Sequence, residues 1–281
     1  MSLSNSSDAL PDTFFLVGIP GLEAVHIWIS IPFCSMHFSA LLGNSALIVI
    51  ITIERSLHKP MYIFLSMLSA TDLSLSSTTV PKMLQILWFG DGSISFSGCP
   101  TLMVFIHIVF ALDSFILLAM ASDRYIVICH PLHYALVLMP QTFGKTGIMG
   151  IICSMVGASP FIFLLNRLLY CGHRLIPHTY CEHMGIARLA CSNITVNIVY
   201  GLTVALLTMG LDAVLNTASY MLILCTVFRH PSCKARRKAL NTCGSHLCVI
   251  LIFYIPAFFS FLTHCFGCHI PHHVYIFLAN L

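Results

Sequence analysis

The chain has 281 residues, of which 58% are hydrophobic and only 8% are charged, and its formal net charge is +3. A soluble domain carries about 25% charged residues, so this composition excludes a soluble protein and favours one membrane domain. The basic residues are dispersed among apolar segments, apart from the cluster at Lys234–Lys238, and this distribution argues against a nucleic-acid-binding protein.

Apolar segments of membrane length predict six complete spans and the start of a seventh. In chain order the six lie at about His26–Ile53, Met61–Leu87, Cys99–Ile128, Phe143–Leu165, Thr195–Phe228 and Cys243–Cys265. The seventh begins near Pro271 and has eleven residues, too few to cross about 30 Å of hydrocarbon at about 1.5 Å per residue. The sequence therefore predicts an all-α membrane protein, a seven-transmembrane helix bundle with an incomplete seventh helix, and we expect the natural protein to continue or this end to be a truncation.

The charges of the loops predict the orientation of the bundle. If the N-terminus is extracellular, nine of the thirteen Lys and Arg residues are cytoplasmic, and the remaining four are Lys82, Arg167, Arg174 and Arg188. The positive-inside rule favours this orientation. Residues 1–25 are then an extracellular tail with a glycosylation sequon at Asn5, and residues 26–281 form the transmembrane domain, with a long second extracellular loop at 166–193. Another sequon, at Asn193, lies too close to the membrane for us to expect modification.

Six of the thirteen cysteines fall in predicted extracellular positions, where the compartment is oxidising and pairing is expected. They are Cys99, Cys171, Cys181, Cys191, Cys265 and Cys268. The other seven lie in spans or on the cytoplasmic side, and we interpret them as reduced packing residues.

Asp123 and Arg124 stand side by side after a nearly apolar stretch, Val104–Ala119. Charges in hydrocarbon are costly, so such a pair should lie at the interface or face the bundle interior, and it suggests a function. The alternative is that Arg124 reaches the interface from a helix end and only helps to set the topology. From these residues alone, both interpretations stand.

Other polar residues recur inside the predicted spans. They are Asn44, Asp72, Asp113, Tyr125, Ser219 and Tyr220. Together with "KPMYIFLSMLSATD", "MASDRYIVICHPLHY", "KALNTCGSHL", "FFSFLTHCFG" and "IPHHVYIFLANL", they make the chain resemble a rhodopsin-like G-protein-coupled receptor, and within that class a class I, fish-like olfactory receptor. The resemblance covers the whole chain.

The resemblance implies an odorant receptor that does no covalent chemistry and activates a heterotrimeric, stimulatory olfactory-type G protein. It implies disulfides from Cys99 to Cys181 and from Cys171 to Cys191. At the inner face, Asp123 should hold Arg124 at rest, and Tyr125 and Tyr220 complete the switch. The ligand-binding positions that it implies are His107, Phe110, Ala111, Met184, Gly201, Ala205, Tyr254, Phe261 and Cys265.

The polar core of the bundle is expected at Asp72 and Asp113, with Asn44 as a neutral ligand. Two carboxylates at low dielectric repel each other unless a cation or proton intervenes, and the resemblance implies a sodium or water-filled site here. The alternative is one protonated, hydrogen-bonded carboxyl group.

The chemical class of the ligand is a weaker expectation. Class I receptors often have an arginine where this chain has Cys265, and that arginine recognises a carboxylate. A medium-chain carboxylic acid would need another donor here, from the set His107, His183, His264, Arg167 and Arg174. A histidine such as His107 on an apolar helix is otherwise more often a core residue than a ligand-binding one.

The stretch "HCFGCHIPHH" also has the spacing of a metal site at His264, Cys265, Cys268 and His269. A local disulfide or two unpaired thiols are the commoner outcomes, so we expect no resident metal. The basic cluster at Lys234–Lys238 suits both anionic membrane lipid and a G protein.

Two other functions stay open on the residues alone. One is an ion or solute transporter, with Asp72, Asp113 and Asp212 along the path, although the sequence shows no internal repeat. The other is a rhodopsin-like receptor for a non-odorant ligand.

Overall fold

A computed structural model of the chain describes residues 13–130, 140–229 and 233–266. Its helices are α1 His26–Ile53, α2 Pro60–Phe89, α3 Gly98–Cys129, α4 Pro140–Asn166, α5 His183–Ala187, α6 Thr195–Ala205, α7 Leu211–Arg229 and α8 Cys233–Phe266. A π-helical turn, Leu206–Gly210, joins α6 to α7, so that the two form one continuous helix. The strands are β1 Thr13–Leu16, β2 Ser93–Ser95 and β3 Leu175–Ile176.

The six complete spans predicted from hydropathy are all helical. By length and composition, four described segments can cross a membrane: Glu23–Ile53, Gly98–Cys129, Gly144–Asn166 and Thr195–Arg229. The helices α2 and α8, with 30 and 34 residues, also exceed the length of about 20 residues that a span needs, but they carry more polar side chains. The predicted seventh span, from Pro271, lies outside the described residues.

The start of α8 differs from the prediction. The helix begins at Cys233, whereas the apolar segment begins at Cys243, so the basic cluster that was predicted to be a loop is helical. Ala, Leu, Lys and Arg all have high helix propensity. A hydropathy window detects the part of a helix that lies in hydrocarbon and misses a polar extension beyond it.

The helix α3 is the centre of the bundle and contacts α2, α4, α7 and α8. One core cluster, around Met103 and Phe161, lies near the end of the bundle that carries Cys99, which we call the disulfide end. A second cluster, around Leu117 and Ile223, lies towards the opposite end of α3. Large apolar side chains such as Trp28 and Phe38 are exposed on the outer faces of the helices, as expected where lipid is the solvent.

A small sheet, which the sequence did not predict, covers the disulfide end. Its strand order is β2-β1-β3, with β1 antiparallel to β2 and parallel to β3. Phe14 of β1 is fully buried, and its ring centroid lies 5.3 Å from that of Phe96 and 6.0 Å from that of Tyr170. The predicted tail 1–25 is therefore folded from Thr13 onward.

The sheet requires a glycine at position 92. The backbone N–H of Leu16 donates to the carbonyl oxygen of Gly92 at 2.9 Å. A Cβ atom on Gly92 would lie only 1.8 Å from the carbonyl oxygen of Leu16, so only glycine permits this approach of β1.

Candidate functional site

Two disulfides fix the long loop over the disulfide end of the bundle. Cys99 at the start of α3 pairs with Cys181, with Cα atoms 5.5 Å apart, and Cys171 pairs with Cys191, with Cα atoms 6.0 Å apart. This is the pairing that the resemblance implied. It places α5 directly beside the disulfide end of α3. The predicted extracellular Cys268 and the predicted glycosylation site Asn5 lie outside the described residues.

A cavity of about 770 Å³ lies beneath this loop, between α3, α4, α5 and the continuous helix formed by α6 and α7. This volume suits a small organic ligand. Six of the predicted ligand-binding residues line it: His107, Phe110, Ala111, Met184, Gly201 and Ala205. Tyr254 is buried outside the lining. The side chains of Phe261, His264 and Cys265 are outside the described part of the chain.

His107 is held on the wall of the cavity by two contacts. Its Nδ1 lies 2.8 Å from the carbonyl oxygen of Met103, and its ring lies 4.7 Å from that of Phe161. A carbonyl only accepts, so Nδ1 carries the proton and donates. In the neutral ring, Nε2 is then an acceptor, which suits the hydroxyl of an alcohol or of a protonated acid.

The part of the cavity nearest the disulfide end carries polar residues that the sequence did not single out together. His183 of α5 lies with Nε2 3.2 Å from Oδ1 of Asn197 in α6, and its ring packs on Phe161 at 4.6 Å. Glu182 and Arg188 flank α5 and also line the cavity. Of the predicted alternative donors, His107 and His183 line the cavity, whereas Arg167 and Arg174 do not.

Arg188 was placed among the outside basic residues, but it was not predicted to bind ligand. The available signal was its position three residues before Cys191 in the disulfide-bonded loop. The pairing of that loop fixes where its basic residues lie, and the sequence alone leaves this open.

The inner end of the cavity is a hydrogen-bonded chain across three helices. Ser114 of α3 donates to Oδ2 of Asp212 in α7 at 2.5 Å and lies 2.7 Å from the hydroxyl of Tyr254 in α8. When Asp212 is ionised, Ser114 gives it its only proton, so Tyr254 donates to Ser114. Asp212 lines the cavity, so the hydrogen bonds through Ser114 and Tyr254 connect the cavity to α8. Asp212 was predicted only as part of a transporter path.

The predicted switch residues lie at the opposite end of α3. Nη2 of Arg124 is 3.7 Å from Oδ2 of Asp123, and the side chains are 17% and 2% exposed. Arg124 also contacts the sulfur of Met61 in α2. The Tyr220 hydroxyl forms a hydrogen bond with Nδ1 of His246, which links α7 to α8.

Tyr125 packs against the second core cluster, which contains Leu117 and Ile223. Its hydroxyl lies 3.3 Å from Nε2 of His130. The partner His246 was not singled out, although it lies in the quoted segment "KALNTCGSHL".

The predicted polar core is only partly assembled among the described residues. Asp113 is buried, lies beside Thr71 and Asp72 of α2, and its Oδ1 has no hydrogen-bond partner there. Asp72 is exposed and Asn44 is half-buried. In the described ranges, no three His, Cys, Asp or Glu side chains are grouped for metal binding, and the predicted pattern from His264 to His269 falls outside the described side chains.

Comparison with known proteins gives concordant matches. A family model described as "Olfactory receptor" matches residues 33–281. Human olfactory receptor 52D1 is 64% identical over 283 residues, which cover 100% of this chain and 89% of that protein. Human olfactory receptor 52B2 is 54% identical over 281 residues, which cover 100% of this chain and 87% of that protein.

Proposed function

The chain belongs to the olfactory receptor family of G-protein-coupled receptors, and from this premise we propose its orientation, its ligand class and its G protein. The family makes it a multi-pass membrane protein with an odorant ligand and a G-protein partner, and not an enzyme. The transporter and the receptor for a non-odorant ligand thereby lose their support.

The disulfide end faces the outside of the cell. Two features support this orientation: the two disulfides, which form in an oxidising compartment, and the basic start of α8 at the opposite end. An N-terminal epitope on intact, unpermeabilised cells should therefore bind antibody, and an epitope accessible only after permeabilisation would contradict this orientation.

The ligand is a small, weakly polar volatile, and medium-chain carboxylic acids are the class that we favour. The observation that carries this proposal is a cavity with apolar walls and a cation at its outer end, Arg188. Arg188 supplies the positive charge that is missing at position 265. His107 adds a second polar contact on the wall, while Phe110, Ala111 and Ala205 accommodate the alkyl chain.

The receptor activates a stimulatory, olfactory-type G protein. Cells expressing it should raise cyclic AMP when challenged with straight-chain acids of graded length, and less so with alcohols and aldehydes of the same length. A cell line that responds to none of these compounds, despite receptor at its surface, would contradict the proposal. A response in which acids are no better than alcohols would reject the acid class alone.

The variant Arg188→Ala tests whether Arg188 binds the carboxylate of the ligand. Losing a charge-assisted hydrogen bond costs about 1.5–3 kcal/mol, so the half-maximal concentration for acids should rise about tenfold or more, and that for alcohols should change little. Arg174→Ala is the matched control, because Arg174 belongs to the same loop but does not line the cavity. Equal effects of the two variants would contradict the assignment.

A sodium ion near Asp113 and Asp72 is a further part of the proposal. The buried, unpartnered Oδ1 of Asp113 supports it, because a buried carboxylate needs a cation or a proton. If sodium binds the folded state, replacing sodium chloride with choline chloride should lower the melting temperature of the purified receptor. Asp113→Asn should remove this dependence, and an unchanged difference between the two salts in that variant would reject the site.

A further inference from the structure

One side of the ligand cavity opens between α4 and α6. Four residues that line the cavity along this side are exposed on the surface of the bundle: Ile198 (45%), Leu202 (38%), Leu207 (61%) and Cys153. All four are apolar or weakly polar. We call this opening, between Cys153–Gly157 of α4 and Ile198–Leu207 of the facing helix, the slot.

The other described residues that line the cavity are buried or half-buried, except Arg188 at the disulfide end. Ser154, Ala158, Phe161, His183 and Met209 line it and are buried. Above it lies a packed layer made of α5 and the sheet, in which Ile176, Ile186 and Ala187 are fully buried. Protein therefore covers most of the disulfide end, and apart from Arg188 the exposed part of the lining is the slot.

The slot faces the hydrocarbon of the bilayer. It lies at the middle of the segment Gly144–Asn166 and in the first half of Thr195–Arg229, and the residues that flank it are apolar and largely exposed, among them Ile152, Val156 and Val199. In a bilayer these apolar flanks face the hydrocarbon, so a lipid or a membrane-dissolved molecule can approach the slot directly.

The two helices are joined at one point along the slot and leave free space beside it. A Cβ atom added to Gly157 would meet nothing within 4 Å, so the absence of a side chain leaves free space there. The Tyr200 hydroxyl donates to the carbonyl oxygen of Gly157 at 2.8 Å and bridges the two helices at this level. Further in, the π-helical turn Leu206–Gly210 contributes Leu207, Thr208 and Met209 to the lining. Such turns often mark functional sites.

A positive charge lies where an amphiphile's head group would sit. Arg188 is exposed and lines the outer part of the cavity, near the membrane surface. Glu182, the acidic residue beside it, lies 3.7 Å from Nε2 of His178. A carboxylate dissolved in the outer leaflet has its head group at this level and its alkyl chain at the level of the slot.

We propose that the slot is a membrane entrance for the ligand, through which an acid dissolved in the bilayer passes its alkyl chain between α4 and α6 while Arg188 holds its carboxylate. This inference rests on the proposed function, because it takes the ligand to be an amphiphilic acid. It adds the route of entry, and it predicts that the receptor takes up ligand that is dissolved in the bilayer.

Gly157→Leu tests the route by filling the slot, with decanoic acid as the probe. The onset of the cyclic-AMP response should slow about tenfold, which lies within the range by which association rates vary among variants of one site, and this factor should exceed any change in the half-maximal concentration at steady state. Gly144→Leu is the matched control: Gly144 is exposed on the same helix, its added Cβ also meets nothing within 4 Å, and it does not line the cavity.

An onset as fast as that of the wild type in Gly157→Leu, at equal surface expression, would overturn the proposal. So would a shifted half-maximal concentration with an unchanged onset, because the slot would then be only a wall of the binding site. Slowing by the same factor in Gly144→Leu would overturn it as well.

Cys153 supplies a readout that does not depend on signalling. In the purified receptor in phospholipid vesicles, a lipophilic maleimide should label Cys153, and decanoic acid at four times its half-maximal concentration should slow this labelling about fivefold. Cys225 and Cys248 are also exposed free thiols and do not line the cavity, so their labelling, resolved by mass spectrometry, should be unaffected.

Labelling of Cys153 that decanoic acid leaves unchanged would overturn the slot as an entrance. Protection of Cys153 in a receptor that gives no cyclic-AMP response would show that the acid occupies the cavity at the slot and would reject the proposed signalling. The two experiments therefore separate failure of the route from failure of the function.

Discussion

Replacing Arg124 with alanine is expected to abolish the cyclic-AMP response to every active odorant while leaving the receptor at the cell surface. Arg124 lies at the end of α3 opposite the disulfide end, 3.7 Å from Asp123 and 17% exposed, where we expect a rearrangement of the helices to present it to the G protein. Ionic pairs near hydrocarbon are costly to keep, and we propose that this one distinguishes two states of the receptor.

Asp123→Asn is the partner variant to this experiment. Removing the carboxylate releases Arg124 from the resting arrangement, so basal cyclic AMP should rise without odorant. The double variant should be silent. A full odorant response in Arg124→Ala, at a matched number of receptors per cell, would show that Arg124 only sets the topology.

Breaking the Cys99–Cys181 disulfide with Cys99→Ala is expected to have the second large effect, loss of folded receptor. The bond joins residues 82 apart, both almost fully buried, and closing a loop of that length stabilises by about 4–5 kcal/mol. The Cys171–Cys191 bond spans 20 residues and should contribute about 3 kcal/mol. Surface expression and the melting temperature in detergent measure the difference.

Cys171→Ala is the control for that comparison. It should lower the melting temperature less than Cys99→Ala and leave part of the receptor at the surface. If the shorter bond proves the more important of the two, the packing of Cys171 and Cys191 matters more than the entropy of the unfolded loop.

The six described helices of the bundle were predictable because a bilayer requires long apolar segments, and such segments are visible in the sequence. The segment predicted at His26–Ile53 has the same bounds in the structure, and the others agree within a few residues at most ends. The extension of α8 to Cys233 was missed, because helix propensity continues in polar sequence where hydropathy falls.

The small sheet could not be predicted, because β1 has no strand neighbour near it in sequence. Thr13–Leu16 forms hydrogen bonds with residues in two distant loops, and a four-residue strand is stabilised by such partners rather than by its own pattern. The folding of the tail therefore depends on tertiary contacts with these loops.

The candidate site was predictable where the resemblance supplied positions, as for His107 and Gly201. The hydrogen-bonded chain of Ser114, Asp212 and Tyr254 was not, because it joins three helices whose relative rotation the sequence does not state. The sequence also showed the charge of Arg188 but not its place in the lining of the cavity, because the disulfide pairing of its loop fixes that place.

The placement of β1 at the centre of its sheet has a consequence for biosynthesis. The ribosome delivers this strand first, yet its parallel partner β3 emerges only after four helices have been translated. Until then β1 has only its antiparallel partner β2 to pair with, so the sheet is completed late in synthesis. Fusion tags placed directly before Thr13 would interfere with this late docking step, and a flexible spacer would relieve it.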